Sequence, residues 1–500
     1  MAQDFILAID QGTTGTTVLV FDHEASIRGH ATSEFTQYYP KPGWVEHDAD
    51  EIWSITLKVV EAALNNAHLT PGDIRGIGIT NQRETSLLWH RNNSKPVSRA
   101  IVWQDRRTSP LCDELRNEGL ENIWQQKTGL LLDPYFSGTK IRWMLDNIPS
   151  LRKAATHGEI AFGTIDSWLT WKLTGGACHA TDYSNASRTL LYNIHKLDWD
   201  DKILSRLDIP REILPEVRSS SCIFGETDPK VFFGKRIPVA GVAGDQQSAL
   251  FGQACYKKGF AKNTYGTGSF LLMNTGHKPI ASSNRLLTTI ACRVGDEPVE
   301  YALEGAIFIT GAAIQWLRDG LKIISTAAES EILAKSVTEN DDVYFVPALT
   351  GLGAPYWDSY ARGTIVGLTR GTTAAHIARA ALESICYQTR DVAEAMQADS
   401  GIKLSELRVD GGAVGNSFLM QYQSDILGVP VEVPAIPETT ALGAAYLAGL
   451  ATGLWKNRNE IGKKYRTARR YEPEMDKDRR DQLYARWKQA VQCSRGWSKI

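Results

Sequence analysis

The chain has 500 residues, 43% apolar and 22% charged, enough to bury more than one hydrophobic core and too apolar for intrinsic disorder. Its 55 Lys+Arg against 57 Asp+Glu leave a formal charge of −2, so no global field draws it onto nucleic acid or an anionic membrane. Seven cysteines without a Cys-x-x-Cys pair give neither a disulfide framework nor a zinc site, and such thiols suit a reducing cytoplasm.

Met1 to Phe5 lacks the basic start and apolar run of a secretory leader. Phe5–Asp10 and Thr17–Asp22 are short β-rich runs joined by Gln11–Gly15, which predicts a β-hairpin. From Asp50 to Asn65 the residues Ile52, Ile55, Val59, Ala62 and Ala63 share one helical face. Gly76–Thr80 predicts a strand that runs straight into the polar cluster Asn81-Gln82-Arg83-Glu84. Ile237–Val242 predicts another, ending at Ala243–Gln247, with a helix beginning at Ser248. The opening pattern then returns as Phe260–Tyr265, a turn at Gly266–Ser269, and Phe270–Asn274. Strand, Gly/Thr turn and strand at both places predict two similar halves, each opening on a hairpin.

Leu407–Asp410 reads as a strand, Gly411–Gly415 as a turn and Asn416–Leu427 as a helix. Thr439–Trp455 is apolar but short for a bilayer and interrupted by Gly443, Gly449 and Gly453, which predicts a buried core helix rather than a membrane span. The dense alternating charges from Lys463 to Lys488 predict a solvated closing helix. The closing Ser498-Lys499-Ile500 differs from a peroxisomal address by Ile in place of Leu.

The two Gly/Thr turns carry the first chemical signal. Glycines let backbone N–H groups converge on one point, and threonine hydroxyls add uncharged donors, so two such turns facing one another suit a nucleotide's phosphates. No GxxxxGK[ST] loop is present, which excludes a P-loop enzyme. Asp10 and Asp245 each follow an apolar strand, where open α/β sheets place their ligands. Paired carboxylates beside phosphate loops point to Mg²⁺, and Asp245 is the candidate base for a phosphoryl transfer. Arg83-Glu84 offers donors and acceptors for neighbouring hydroxyls of a small polyol, with Trp103, Tyr135 and Phe270 as walls; a solvent-facing ion pair is the alternative.

The stretches Asp10–Thr14, Asn81–Thr85, Trp103–Arg107, Asp133–Lys140, Gly244–Gln247, Tyr265–Gly268, Gly351–Asp358, Asp410–Ala413 and Thr440–Tyr446 together resemble the FGGY carbohydrate-kinase family. Asn81–Thr85 and Asp133–Lys140 resemble its glycerol-phosphorylating branch in particular. The resemblance implies an α/β, two-domain actin-like, ribonuclease-H-like ATPase fold with ATP and substrate in the interdomain cleft. It implies an N-terminal domain over 1–253 for glycerol and phosphate contacts and a C-terminal domain over 254–500 for the nucleotide and the closing helices. The implied reaction is ATP-dependent phosphorylation of glycerol to sn-glycerol 3-phosphate with Mg²⁺, in a cytoplasmic homodimer or homotetramer.

Carried over by position, Arg83, Glu84, Tyr135, Asp245 and Gln246 would hold the glycerol hydroxyls, with Trp103 and Phe270 packed on its carbons and Asp245 as general base. Thr13, Thr14, Gly15 and Thr267 would face the phosphates, Gly311, Gln315, Gly412 and Asn416 would line the nucleotide, and Asp10 with Asp245 would place the metal. The chain departs from the family where many members have an arginine contacting phosphate, here Thr17. A Gly-rich basic loop that binds fructose 1,6-bisphosphate in enteric relatives is here Lys230–Arg236, with bulky aromatics, and no histidine lies between His195 and His277 where some relatives are phosphorylated. Two readings compete with glycerol phosphorylation: a kinase for another small polyol or ketose, and an actin-like ATPase that needs no polyol. The bulky walls at Trp103 and Tyr135 favour a compact triol over a five-carbon sugar.

Overall fold

A computed structural model describes residues 4–499; Met1–Gln3 and Ile500, and with them parts of the two terminal readings, lie outside the described residues. Alternating β-branched and small residues build a first sheet from β1 (Phe5–Gln11), β2 (Gly15–Phe21), β3 (Ile27–Glu34), β4 (Ile74–Asn81), β5 (Ser221–Glu226) and β6 (Pro238–Gly244). Its strand order is β5-β6-β4-β1-β2-β3. The hairpin β1–β2 and the pair β2–β3 are antiparallel, while β1–β4 and β4–β6 are parallel. Helix α1 (Ala49–Ala67) crosses from β3 to β4, with Asp48 accepting from the Asp50 and Glu51 amides at its start. It buries Ile52, Val59, Val60 and Leu64 against this sheet, each contributing about 1.5–3 kcal/mol. Helix α2 (Asp245–Gly252) follows β6 directly.

The second sheet repeats the plan with β7 (Phe260–Tyr265), β8 (Ser269–Gly276), β9 (Leu287–Cys292), β10 (Glu300–Ile307), β11 (Glu406–Gly411), β12 (Val431–Pro434) and β13 (Thr467–Tyr471). Its order is β9-β10-β8-β7-β11-β12-β13. Here β7–β8 and β8–β10 are antiparallel and β7–β11 and β11–β12 parallel, so β10-β8-β7-β11-β12 reproduces β3-β2-β1-β4-β6 strand for strand. The edge strands β5 and β13 match as well, each antiparallel to its neighbour. The duplication expected from two hairpins therefore extends through both sheets. The longer helices of this half are α3 (Gly311–Asp319), α4 (Ala374–Ser400), α5 (Ser417–Leu427), α6 (Thr439–Ala451) and α7 (Lys477–Ser494).

Every strand of the first sheet precedes Gln253 and every strand of the second follows it. Helix α6 crosses back: Ala441, Ala445 and Ala448 are buried with Ile6, Ala8, Leu19 and Ala240 of the first sheet. Small residues allow this approach, since a Cβ on Gly241 would lie 2.5 Å from the Ala448 amide nitrogen. Among the described residues no helix is long and apolar enough to cross a membrane. The closing segment differs from the solvated helix expected for it. It contains the edge strand β13 and then α7, whose Leu483, Tyr484, Trp487 and Val491 are buried against the second core. Their spacing places them on one helical face beneath the charges that dominate the composition.

Candidate active site

Strand register gathers the polar clusters. Gln11 at the end of β1 pairs with Asn81, and Gly244 at the end of β6 pairs with the same Asn81. The turn Gly12–Thr14, the segment Gln82–Glu84 and Asp245 thus leave the first sheet at one edge. In the second sheet Tyr265 pairs with Gly411, and Ser269 pairs with both Tyr265 and Ile307. The turn Gly266–Gly268, the turn Gly411–Gly415 and the start of α3 share its corresponding edge. These are the carboxyl ends of parallel strands, where α/β sheets hold ligands.

Glutamine side chains brace the first turn. Gln11 Nε2 and Gln82 Nε2 donate to Gly12 O at 2.8 and 3.1 Å, and Gln37 Nε2 donates to Thr13 O at 3.1 Å. Buried His47 stands behind them, with Nε2 2.8 Å from Gln37 Oε1 and Nδ1 3.3 Å from Gln82 Nε2; burial pulls it down to about 4, so it is neutral. With its carbonyls engaged by these donors, the turn offers N–H groups and the Thr13 and Thr14 hydroxyls to an anion. Trp103 Nε1 donates to Thr13 Oγ1 at 2.9 Å, and its ring meets Tyr135 edge-on with centroids 5.5 Å apart.

Beside the turn lies a buried cluster of charges. Arg83 Nε is 3.1 Å from Asp245 Oδ1, and its fork donates to Glu304 at 2.6 and 3.1 Å. Arg188 donates to Glu84 Oε1 at 2.6 Å and to Glu304 Oε1 at 3.0 Å. Burial alone would raise Glu304, but Arg188 and Arg83 hold it down to about 2. Glu84 has a left-handed backbone, φ 61°, a conformation costing about 1–3 kcal/mol that clusters at functional sites. Its carbonyl is pinned by Ser86 and Ser137 hydroxyls at 2.9 and 3.0 Å. Gly244 makes room for Arg83, since a Cβ there would lie 2.7 Å from Arg83 Cγ and Cδ. Asp245 and Gln246 form the first turn of α2, which begins three residues before the expected Ser248. Phe270 closes this side, with the Arg83 guanidinium 5.9 Å from its ring centre, and burial pushes the Tyr135 phenol up, leaving it a neutral hydroxyl.

The second turn is braced by a helix. The amides of Thr310 and Ala312 donate to Thr267 O at 2.9 and 3.0 Å, and that of Gly311 to Gly266 O at 3.1 Å. Thr267 itself is exposed, as are Thr14, Gln315 and Gly412, while Gly15 is partly buried. Asn416 caps α5 by accepting the Leu419 amide at 2.9 Å, which occupies its side-chain oxygen and leaves its amide N–H₂ for a ligand. Lys262 of β7 donates to Gln246 Oε1 and, at 2.8 Å, to Thr264 Oγ1; burial pulls it down to about 8 against the charges of Asp410 and Asp245. Asp10 is pushed up to about 7, first by burial and then by the charge of Asp245. No hydrogen-bond donor reaches its carboxylate among the described residues. Two carboxylates in mutual repulsion, with oxygen donors only, are a set that Mg²⁺ fits. Thr17 pairs across the hairpin with Asp10 and bonds Thr32 Oγ1 at 3.0 Å, so no cation enters from that position. In the loop Lys230–Arg236, Phe232 is buried in the first core and Phe233 lies at the surface.

A cavity of about 270 Å³ lined by Arg107, Leu111, Trp143 and Arg206 contains none of these residues. Residues 5–252 match the FGGY family of carbohydrate kinases, N-terminal domain, and residues 261–452 match its C-terminal domain. The chain belongs to the FGGY family of carbohydrate kinases. It is 60% identical over 497 residues to a glycerol kinase of Carboxydothermus hydrogenoformans, covering 99% of each chain. It is also 60% identical over 495 residues to glycerol kinase 2 of Thermotoga maritima, again with 99% of each covered. The crystal structure of a Plasmodium falciparum glycerol kinase with ADP superposes with a TM-score of 0.93 at 38% identity, covering 98% of both chains.

The two-domain fold expected of an FGGY kinase is thus present. Arg83, Glu84, Trp103, Tyr135, Asp245, Gln246 and Phe270 converge, joined to Asp10 by charge and to Thr13 by a hydrogen bond. Thr267 and Gly311 meet at the second turn. Sequence reasoning missed Arg188, Glu304 and Lys262, and the brace of Gln37, His47 and Gln82. The one signal available for Glu304 and Lys262 was a charged residue in the interior of a β-strand.

Proposed function

We propose that this chain transfers the γ-phosphoryl group of ATP to glycerol, giving sn-glycerol 3-phosphate and ADP. The observation that carries the reading is the convergence of Arg83, Glu84 and Asp245 between aromatic walls, in a chain 60% identical to glycerol kinases over its length. Glu84 Oε2, left without a partner among the described residues, accepts from one glycerol hydroxyl, and Arg83 donates to a neighbouring oxygen. Trp103 and Phe270 cover the carbons. On this reading residues 1–253 carry the glycerol and phosphate contacts, completed by Thr267 and Phe270, and the rest of the nucleotide contacts come from 254–500.

The terminal hydroxyl oxygen attacks the γ-phosphorus as the bond from that phosphorus to the β-phosphate oxygen breaks. The hydroxyl proton passes to Asp245, and ADP carries away the electron pair. Thr13, Thr14, Gly15 and Thr267 donate to the phosphate oxygens; Gly311, Gln315, Gly412 and Asn416 flank the nucleotide. Mg²⁺ held by Asp10 and Asp245, through water, would spread the developing phosphate charge. The free cysteines support a cytoplasmic location, and family analogy a homodimer or homotetramer.

The test is ADP release by the purified protein with Mg²⁺–ATP and glycerol, xylulose, ribulose or erythritol. Release that requires glycerol, with sn-glycerol 3-phosphate as product, is the expected result. Preference for a ketose, or release indifferent to every polyol, would overturn it.

A further inference from the structure

The geometry points to Glu304 and Arg188 as positioning residues for glycerol recognition, with Glu304 acting from the opposite half of the molecule. The inference rests on the glycerol reading above and adds to it the groups that aim its contacts. Glu304 stands on β10 and is fully buried, yet each of its carboxylate oxygens serves the first half. Oε2 takes Arg83 Nη1 at 2.6 Å, while Oε1 takes Arg83 Nη2 at 3.1 Å and Arg188 Nη2 at 3.0 Å. One carboxylate therefore fixes two guanidiniums relative to each other. Arg188 passes that constraint on, since its Nε holds Glu84 Oε1 at 2.6 Å and its guanidinium lies 5.6 Å from the Tyr135 ring centre.

A buried ion cluster is a poor device for stability alone, because apolar side chains of the same volume serve as well. What this cluster adds is direction. Arg83 is turned so that Nε meets Asp245 Oδ1, and Glu84 so that Oε2 is left for a hydroxyl. The bidentate grip restricts Arg83 to one orientation, which a triol with fixed hydroxyl spacing needs. Because Glu304 belongs to the second sheet, this orientation exists only while the two halves are together. Glycerol recognition by first-half side chains thereby depends on a carboxylate of the second half.

Glu304→Gln preserves shape and removes the charge. The expected result is a glycerol KM raised about tenfold or more, an ATP KM changed less than about twofold, and turnover at saturating glycerol within about threefold. Arg188→Lys keeps the charge without the fork; it should give the same split, and it carries the test if Glu304→Gln does not fold. An unchanged glycerol KM, with or without the drop in turnover that loss of folded protein would cause, or an equal rise in both KM values, overturns the inference. Wild-type protein in the same assay separates the two readings. Absence of glycerol-dependent ADP release there sinks the function itself, whereas its presence without the split sinks only the role of Glu304 and Arg188.

Discussion

The two Gly/Thr turns occupy matching places in two matching sheets and are braced by different means. In the first half, glutamine side chains and a neutral histidine hold the turn's carbonyls. In the second, the leading amides of α3 do the same work. The carboxylate also changes strand. Asp10 lies on the hairpin strand β1 beside Thr80 of β4, whereas in the second half Thr264 is on the hairpin and its β11 neighbour is Asp410. Asp410 receives Gln253 Nε2 at 2.7 Å and the Thr439 hydroxyl, so it ties the halves together. Asp10 receives no such donor among the described residues and faces Asp245. One scaffold thus carries a carboxylate without such donors on one side and a carboxylate engaged in attachment on the other, and the difference lies in the side chains placed on it.

The sharpest break of this asymmetry is Asp245→Asn. Turnover should fall by about 10²–10⁴-fold with the thermal midpoint little changed, since the variant keeps its hydrogen-bonding shape but cannot take the proton. Arg83→Ala should raise the glycerol KM by about 100-fold while leaving the ATP KM nearly constant; equal effects on both would make it a structural ion pair. Asp10→Asn and Asp410→Asn compare the halves directly. The first should cut turnover about tenfold or more and raise the Mg²⁺ needed for half-maximal rate. The second should mainly lower thermal stability. Reversal of those two outcomes would place the metal on the wrong half.

Gln37→Leu removes the donor to Thr13 O and the partner of His47, and should raise the ATP KM about threefold to tenfold with glycerol KM unchanged. The smallest expected effect is on stability against pH. Asp166 in the first half and Asp391 in the second are both buried and pushed up from 3.8 to about 7. The folded state therefore binds their protons more tightly, so their contribution to stability is fully present below the ordinary carboxylate range and lost as pH rises toward about 7. Asp391→Asn, which keeps a group for Tyr484 and Trp487 to meet, should flatten part of the decline in urea midpoint between about pH 4 and about pH 7.

Much of this was legible in the sequence because the chemistry sits where strands end. Asp10, Arg83, Glu84 and Asp245 each follow an apolar run, and the repeated Gly/Thr turn announces both hairpins. Glu304 and Lys262 were not legible, because one charge in a strand such as Tyr301–Ala306 reads as the solvent side until neighbouring strands cover it. Arg188 lies between small and apolar residues, and only the fold brings it to Glu84 and Glu304. The edge strand Thr467–Tyr471 has no apolar alternation because it is largely exposed, so its charges masked it. The docking of α6 on the first sheet also needed the fold: a helix apolar on every face does not say which core it joins.

The central claim is that phosphate passes from ATP to a hydroxyl aligned by Arg83 and Glu84, with its proton taken by Asp245. Rapid-quench measurement with γ-labelled ATP and saturating glycerol addresses it directly. Label should appear in glycerol 3-phosphate in step with ADP, and far more slowly in Asp245→Asn. Label released as inorganic phosphate, at the same rate in both proteins and with or without glycerol, would contradict it.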